Sequence, residues 1–197
     1  MTLTNEQRRK LIKVYPYLMP RNVWTDEVID DFDYSHIRGE WELPPGWFRL
    51  FLLYCKNLKP ILSENDYADK FRFTQIKEKY GRLRMYDNGA PTDGHNLESV
   101  FGVMSGCICE ICGRKATYET HGWIDVYCKE HSEKTHYKKS RIRRKSKVVI
   151  ERFDFSNSTD GEKYIVKIPL KKYWAEYDKC IKMTDEEFYS YLVSENS

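Results

Sequence analysis

The sequence lacks any long uninterrupted apolar run. Its longest is LFLLYC at residues 50–55, whereas a helix needs about 20 apolar residues to cross a bilayer. We therefore expect neither a membrane-spanning segment nor a membrane partner. The first residues, MTLTNEQRRKLIK, also lack the basic and then apolar pattern of a secretory signal. A reducing, cytoplasmic location is the expectation.

Internal repeats and low-complexity tracts are also absent from the sequence. Hydrophobic residues make up 41% of the chain and aromatic residues 15%, which is too many core-forming side chains for an intrinsically disordered protein. A length of 197 residues suits one large domain, or one domain with a small appended module. The composition therefore predicts a folded protein with a buried core.

Cysteine is present, but its pattern is not that of a small disulfide-rich protein. Three of the six cysteines lie in CICEIC at residues 107–112, and CxxC spacing in a cytoplasmic chain favours a metal over a disulfide. Cys55 lies in the apolar run and Cys180 in YDKCIKM, both without a partner at ligand spacing. We interpret these two as buried small hydrophobic residues.

The formal net charge of +3 conceals two stretches of opposite charge. Residues 26–42 carry seven acidic side chains and one arginine, whereas residues 134–147 carry eight lysines and arginines and no acid. Any partner would therefore meet a surface with two different electrostatic faces.

Hydrophobic periodicity and capping residues predict three helices. The first covers residues 5–14 and opens with the capping box TNEQ. The second follows the Pro-Pro-Gly sequence at residues 44–46, because apolar residues then recur at three- and four-residue spacing. The third opens with a capping box at Thr184 and runs to about Val193.

Alternating apolar and polar residues predict two antiparallel hairpins. One covers residues 71–86 and turns near Gly81, and the other covers residues 147–170 around the turn SNSTDG. The segment 87–95 is rich in turn residues and is expected to be a loop. This order of elements predicts an α+β fold, with antiparallel hairpins, flanking helices and an embedded zinc-ribbon or treble-clef-like module.

Two pairs of metal-binding residues define that module. CEICG at residues 109–113 has the form of a zinc knuckle, in which two thiolates bind one ion and glycine permits a tight turn. CKEH follows at residues 128–131, and the residues between the pairs are long enough for a hairpin that brings them together. The spacing predicts one tetrahedral Zn²⁺ per chain, with ligands Cys109, Cys112, Cys128 and His131.

Other donors near this site are weaker candidates. Cys107 is a fifth thiol, but its C-x-C spacing to Cys109 is poor for joint chelation. His121 and His136 are alternative nitrogen donors, and His131 is preferred for its spacing. Three thiolates and one imidazole leave no position for an activated water, so the predicted zinc is structural.

Three segments together carry a resemblance. QIKEKYGRLRMY, CEICG and GWIDVYCKEH resemble a group of small bacterial and bacteriophage proteins of unassigned function, which read V-K-E-K-F-G-x-L-R-F-Y, then C-x-x-C-G, then G-W-x-x-x-x-C-x-x-H. The overlap covers the middle third to half of the chain. It implies a phage or prophage accessory protein, and many such proteins bind host machinery or inhibit host defence.

The motifs and predicted elements divide the chain into three units, and they favour binding over catalysis. The units are a helical and hairpin region at residues 1–96, the zinc module at 97–136, and a basic segment with a hairpin and a helix at 137–197. The first hypothesis is a non-catalytic protein that binds a host protein or small ligand, since aromatic residues favour interfaces and no catalytic set is visible.

The second hypothesis is a DNA- or RNA-binding protein. In it, the basic segment neutralises phosphates beside the zinc module, arginine making bidentate contacts. The candidate residues are Lys138, Lys139, Arg141, Arg143, Arg144 and Lys145.

The third hypothesis is a nuclease. An HNH enzyme would need an Asp-His pair before a long loop with a central asparagine, and the sequence lacks this pattern. A magnesium site would instead use the acids around residues 30–36, namely Asp30, Asp31, Asp33 and His36. Clustered acids usually form a solvated loop, so catalysis is the least favoured hypothesis.

Overall fold

The computed structural model describes residues 3–19, 21–22, 24–25, 27–28, 43–145 and 170–194. The regular structure in these ranges consists of helices and two small antiparallel sheets. This confirms the α+β class. The helices are α1 (Asn5–Val14), α2 (Phe48–Glu64), α3 (Thr92–Ser105), α4 (Lys129–Lys134), α5 (Leu170–Cys180) and α6 (Asp185–Val193). The strands are β1 (Phe73–Glu78), β2 (Leu83–Asp87), β3 (Tyr118–Thr120), β4 (Val126–Tyr127) and β5 (Ile142–Arg144), and short 3-10 turns cover Pro16–Leu18, Pro45–Trp47 and Lys139–Arg141.

Both predicted capping boxes are present. At the start of α1, the Thr4 side chain accepts a hydrogen bond from the Gln7 amide at 3.2 Å, and the Gln7 side chain accepts one from the Thr4 amide at 2.8 Å. Thr184 and Glu187 make the same reciprocal pair at the start of α6. Each pair satisfies two amides that a helix start leaves unpaired, so the predicted beginnings of these helices are confirmed.

Helix α2 is the centre of the core. Every side chain from Leu50 to Cys55 is fully buried, because α3, α5 and α6 all pack against this helix. The aromatic rings around it meet edge to face, as Phe71 and Phe73 do at 5.1 Å between centroids. The predicted helix is confirmed, and so are Cys55 and Cys180 as buried residues.

The first predicted hairpin is confirmed and turns through two residues. Tyr80 and Gly81 have φ values of 55° and 68°, as a type I′ turn requires. Lys79 and Arg82 close the turn with hydrogen bonds in both directions, at 2.9 and 3.2 Å. A Cβ on Gly81 would lie 2.9 Å from the Ile124 side chain, so this turn contacts the turn between β3 and β4.

The prediction of a loop over residues 87–95 was wrong beyond Pro91. The Asp87 side chain closes the turn by accepting hydrogen bonds from two backbone amides, and α3 then begins at Thr92. Gly94, which the sequence suggested as a turn residue, lies in the first turn of this helix, where a Cβ would come within 3.0 Å of the Ala90 side chain. Here glycine permits close packing and does not interrupt the helix.

The second sheet has the order β4-β3-β5, and all its pairs are antiparallel. Helix α4 ends at Lys134, and the chain returns to pair with the free edge of β3. The end of that pairing is fixed by a hydrogen bond from the Lys145 amide to the Thr117 carbonyl at 2.9 Å.

Two other predictions lie outside the described residues. The second predicted hairpin falls there up to Leu170, where α5 begins. The acidic group at residues 30–36 also falls there. Where the structure does describe helices, none combines the length and the apolarity that crossing a bilayer would need.

Three hydrogen bonds fasten the CEICG segment, together with Ile108 just before it, to the helical body. The donors lie in the turn before α2 and in α5, so two distant parts of the chain bind the same short loop. The donors and acceptors are Gly46 N to Glu110 O at 2.6 Å, Trp47 Nε1 to Ile108 O at 2.9 Å, and the Tyr177 hydroxyl to Gly113 O at 2.8 Å.

Gly46→Ala is expected to lower the free energy of unfolding by more than about 3 kcal/mol, since the contact is backbone against backbone and cannot relax. A Cβ at Gly46 would lie 2.1 Å from the Cys109 carbonyl oxygen and 2.6 Å from the Gly113 nitrogen. Urea denaturation measures the loss. Gly122→Ala is the control, because its Cβ would meet nothing within 4 Å and only the φ of +95° opposes the substitution, at a cost of about 1–2 kcal/mol. Similar losses in both variants would contradict this interpretation.

Candidate metal centre

The four predicted metal ligands converge in the structure. Cys109 and Cys112 lie in the loop after α3, Cys128 is the residue at which α4 begins, and His131 lies within α4. One ligand atom from each residue lies within 4.8 Å of all the others. The group could therefore hold a metal ion.

Local backbone hydrogen bonds give this loop its shape. The Cys109 amide donates to the Arg114 carbonyl at 2.7 Å, and the Gly113 amide donates back to the Cys109 carbonyl at 2.9 Å. Gly113 has a φ of 76°, a left-handed conformation that glycine adopts without strain. The β3–β4 hairpin then returns the chain to this loop, which confirms the predicted hairpin between the two pairs.

Three of the six distances between donors match a tetrahedron around zinc, and the other three are within 4.8 Å. Zn–S bonds of about 2.3 Å and Zn–N bonds of about 2.0 Å imply S···S edges of about 3.8 Å and S···N edges of about 3.5 Å. The Cys112 and Cys128 sulfurs are 3.8 Å apart. His131 directs Nδ1 towards the sulfurs of Cys109 and Cys128, at 3.5 and 3.3 Å. The residues therefore fit zinc in both chemistry and spacing.

The weaker candidates lie outside this group. Cys107 is half-buried and lines a cavity beside α5 instead. His121 is exposed in the β3–β4 turn, and its amide donates to the Arg141 carbonyl at 2.7 Å. His136 stacks against Tyr137 with 4.2 Å between ring centroids. None of the three joins the four-residue donor group in the described part of the chain.

Arg114 borders the thiols and was not foreseen from the sequence. Its Nε donates to the Cys112 sulfur at 3.3 Å, and another guanidinium nitrogen lies 3.8 Å from the Cys128 sulfur. Glu130 holds the guanidinium in an ion pair, and Lys134 binds the same carboxylate at 2.8 Å. These two cations hold the pKa of Glu130 at about 2. Arginine two residues after the second cysteine was the only sequence signal for this contact.

The protonation of the thiols reflects these surroundings. Burial raises the pKa of Cys109 to about 11. Burial also raises the pKa of Cys112. The hydrogen bonds from Arg114 lower it by more, so the pKa of that thiol lies below its ordinary value. Positive charge beside a sulfur stabilises the thiolate, which is the form that binds metals.

Three carboxyl groups meet on the other side of the loop, a feature that the sequence did not indicate. Glu78, Glu110 and Asp125 each place an oxygen within 4.8 Å of the other two. Burial raises the pKa of Glu110 to about 8, and its carboxylate accepts a hydrogen bond from the Val126 amide at 2.8 Å. Glu110 therefore links the CEICG loop to strand β4.

The six predicted nucleic-acid-binding residues fall into two groups. Arg143 and Lys145 bind Glu119 of β3 at 2.8 and 3.6 Å, and the Lys145 side chain, only 14% exposed, also donates to the Gly106 carbonyl. These two are structural residues of the second sheet. The other four are exposed and make no ion pair with any described residue: Lys138, Lys139, Arg141 and Arg144.

A cavity of about 500 Å³ is lined by the end of α3, the CEICG loop and α5, beside the contact between Tyr177 and Gly113. Val103, Ile108 and Trp174 form an apolar part of the cavity wall. Lys115 and Asp178, which carry opposite charges, also line the cavity. Because α5 was not anticipated from the sequence, this cavity was not anticipated either.

Comparison with known proteins gives no match to a family model, to a curated protein or to a solved structure. The class of the site is therefore defined by its own residues, as a three-cysteine, one-histidine group of the kind that binds zinc.

Arg114→Ala is expected to weaken Zn²⁺ binding about 10- to 100-fold, because the thiolates lose their neighbouring positive charge. Competition with a chromogenic chelator measures the affinity. Lys115→Ala is the matched control, since it removes an adjacent exposed cation that donates to none of the thiols. Equal affinities for the two variants would show that Arg114 has no effect on the site.

Proposed function

We propose that this chain binds one structural Zn²⁺ through Cys109, Cys112, Cys128 and His131. The tetrahedral distances between donors support this, as does the preference of zinc for thiolate and imidazole ligands. Zn²⁺ with three thiolates and a neutral imidazole carries one net negative charge, which the Arg114 guanidinium is placed to balance. Thiolate ligands persist in a reducing compartment, so the protein acts in the cytoplasm.

The order of elements supports a treble-clef-like module. A knuckle supplies the first two ligands and the β3–β4 hairpin follows. The last two ligands are Cys128, the N-cap of α4, and His131 in the first turn of that helix. In this arrangement the metal joins a loop to a helix that share few apolar contacts. Among the described residues, the small core between them consists of Cys109, Tyr127 and Cys128, with Cys112 and Tyr137 packed against it. The zinc would therefore stabilise the module by on the order of 10 kcal/mol.

The function of the protein is to bind a partner without catalysis. The closed set of four protein donors carries this proposal, because it leaves no coordination position for water or substrate. The resemblance of its motifs to small phage and bacterial proteins supports an accessory role in which a host protein or ligand is bound, as in inhibition of host defence. Large apolar side chains on the module suit such an interface: Ile111 is 49% exposed and Trp123 69%.

Nucleic acid is the second candidate partner, and one observation favours it. Four basic side chains on or beside the zinc module are exposed and make no ion pair with any carboxylate in the described ranges, so their charge is available to phosphates.

Purified protein is expected to contain one zinc per chain by elemental analysis, and Cys112→Ser to lose the metal and unfold residues 107–136. Loss of a ligand removes the free energy that holds the module together. Hydrogen exchange of amides in this segment reports the unfolding. Cys107→Ser is the control and is expected to retain both zinc and fold. Protein free of zinc, or metal loss in the control, would contradict the assignment.

The protein is expected not to cleave DNA or RNA in the presence of Mg²⁺ or Mn²⁺, because the zinc sphere offers no nucleophile. Gel assays with single- and double-stranded substrates test this. His121→Ala is expected to leave partner-independent properties unchanged, such as zinc content and thermal stability. Metal-dependent cleavage that disappears in this variant would restore the HNH hypothesis and refute a purely binding role.

A further inference from the structure

Two hairpin turns lie against each other beside the zinc module. Gly81, in the β1–β2 turn, would place a Cβ 2.9 Å from the Ile124 side chain and 3.2 Å from that of Val126. The residues next to this contact, Tyr80 and Trp123, are 65% and 69% exposed. Two large aromatic side chains are therefore presented to solvent from neighbouring turns.

Hydrogen bonds to a buried threonine order the turn that carries Trp123. Thr120 is fully buried, and its hydroxyl donates to the Trp123 carbonyl and accepts a hydrogen bond from the Asp125 amide at 2.7 Å. The exposed ring thus stands on an ordered turn, which reduces the entropy lost when it contacts a ligand.

Tyr80 occupies a position that does not suit it structurally. Its φ of 55° is a left-handed conformation, and asparagine or glycine is preferred at this place in a type I′ turn. An exposed tyrosine there adds no core packing. Strained residues of this kind concentrate at functional sites.

One exposed cation lies at the Tyr80 ring, and the backbone of a second basic residue lies beside the Trp123 turn. The Lys79 ammonium lies 5.5 Å from the centroid of the Tyr80 ring. The His121 amide donates to the Arg141 carbonyl at 2.7 Å, which places the first residue before β5 beside the Trp123 turn. Together with the 3-10 turn leading into β5, these residues form what we call the tip surface: Tyr80, His121, Trp123, Lys138, Lys139 and Arg141.

The carboxylates near the tip surface are already engaged. Glu119 is bound by two cations, at 2.8 and 3.6 Å. Asp125 accepts a hydrogen bond from the Tyr127 hydroxyl at 3.1 Å, and Glu78 accepts one from the Gly81 amide at 2.6 Å. The hydrogen bonds to Asp125 and Glu78 come from neutral donors and do not cancel the charge of these two acids. The exposed cations of the tip surface make no ion pair with any of the three acids in the described part of the chain, so those cations are available to phosphates.

We infer that the tip surface binds single-stranded nucleic acid, with bases stacked on Trp123 and Tyr80 and phosphates paired with Lys138, Lys139 and Arg141. Aromatic platforms and basic grooves are the two features that single-strand binders combine. A duplex keeps its bases stacked internally and cannot offer them to exposed rings. The inference rests on the proposed non-catalytic binding role and specifies its partner class.

The first test is fluorescence anisotropy with zinc-loaded protein and labelled oligo(dT), oligo(U) and a duplex of the same length at low salt. Single strands are expected to bind more tightly than the duplex. Trp123→Ala and Tyr80→Ala are each expected to weaken single-strand binding about 5- to 100-fold, the usual loss for one stacked base. Trp24→Ala is the matched control and is expected to have no effect, since Trp24 is 92% exposed and lies in the N-terminal region.

The second test separates charge from stacking. Replacing Lys138, Lys139 and Arg141 with alanine is expected to flatten the slope of log affinity against log salt by about two to three, one for each lost phosphate contact. A triple variant at Lys13, Lys171 and Lys179, all exposed and elsewhere in the chain, is expected to keep the wild-type slope. Arg143→Ala is expected to change it less than Arg141→Ala, because Glu119 already binds Arg143.

The third test uses the strained turn. Tyr80→Asn is expected to raise the thermal unfolding midpoint by relieving the left-handed tyrosine, and at the same time to weaken single-strand binding. A purely structural Tyr80 would show the rise in stability without the loss of binding.

Each outcome supports or overturns the inference. Folded, zinc-loaded protein that binds no oligonucleotide at low salt would overturn it while leaving the zinc proposal intact, and zinc-free protein would refute the zinc proposal. Duplex binding equal to single-strand binding would also overturn it. If Trp123→Ala instead abolishes capture of a specific host protein and no oligonucleotide binds, the tip surface is a protein interface and the inference is wrong.

Discussion

The contact between the Gly46 backbone and the CEICG loop is the constraint on which the rest of this structure depends. A Cβ at Gly46 would lie 2.1 Å from a carbonyl oxygen in that loop, so the turn before α2 and the CEICG loop fit together only without a side chain at this position. This contact orients the loop relative to the core helix α2. From that orientation follow the positions of the β3–β4 hairpin, of α4 with His131, and of the Trp123 turn against the β1–β2 turn.

Much of this architecture could be predicted from local sequence signals. The two capping boxes and the α2 periodicity gave correct helices because the responsible interactions act within a few residues. The four candidate metal ligands could be chosen from the sequence because chelation restricts spacing to a few patterns, and the structure brings the same four side chains together. The prediction failed at Gly94, which lies in α3 and not in a loop, and strand β5 was not predicted. Packing against Leu58 and pairing with the edge of β3 act at these two places, and no local pattern reports them.

The surroundings of the site were less accessible to prediction for the same reason. Arg114, Glu110 and Trp123 gain their importance from what they face: two sulfurs, a strand amide and solvent. Composition indicated a basic segment but could not separate the residues that hold the second sheet from those exposed beside it. Glu119, at the middle of β3, makes that division by binding Arg143 and Lys145.

The fastening of the CEICG loop also has a consequence for the order of folding. The four metal ligands span residues 109–131, a short loop whose closure costs little chain entropy. The bonds from Trp47 and Tyr177 to the same loop join residues 61 and 64 positions apart. During synthesis the metal site and the Trp47 contact are complete in sequence before Tyr177 is made. The segment that carries the four candidate ligands can therefore assemble early, and its final attachment to α5 is a late, non-local step.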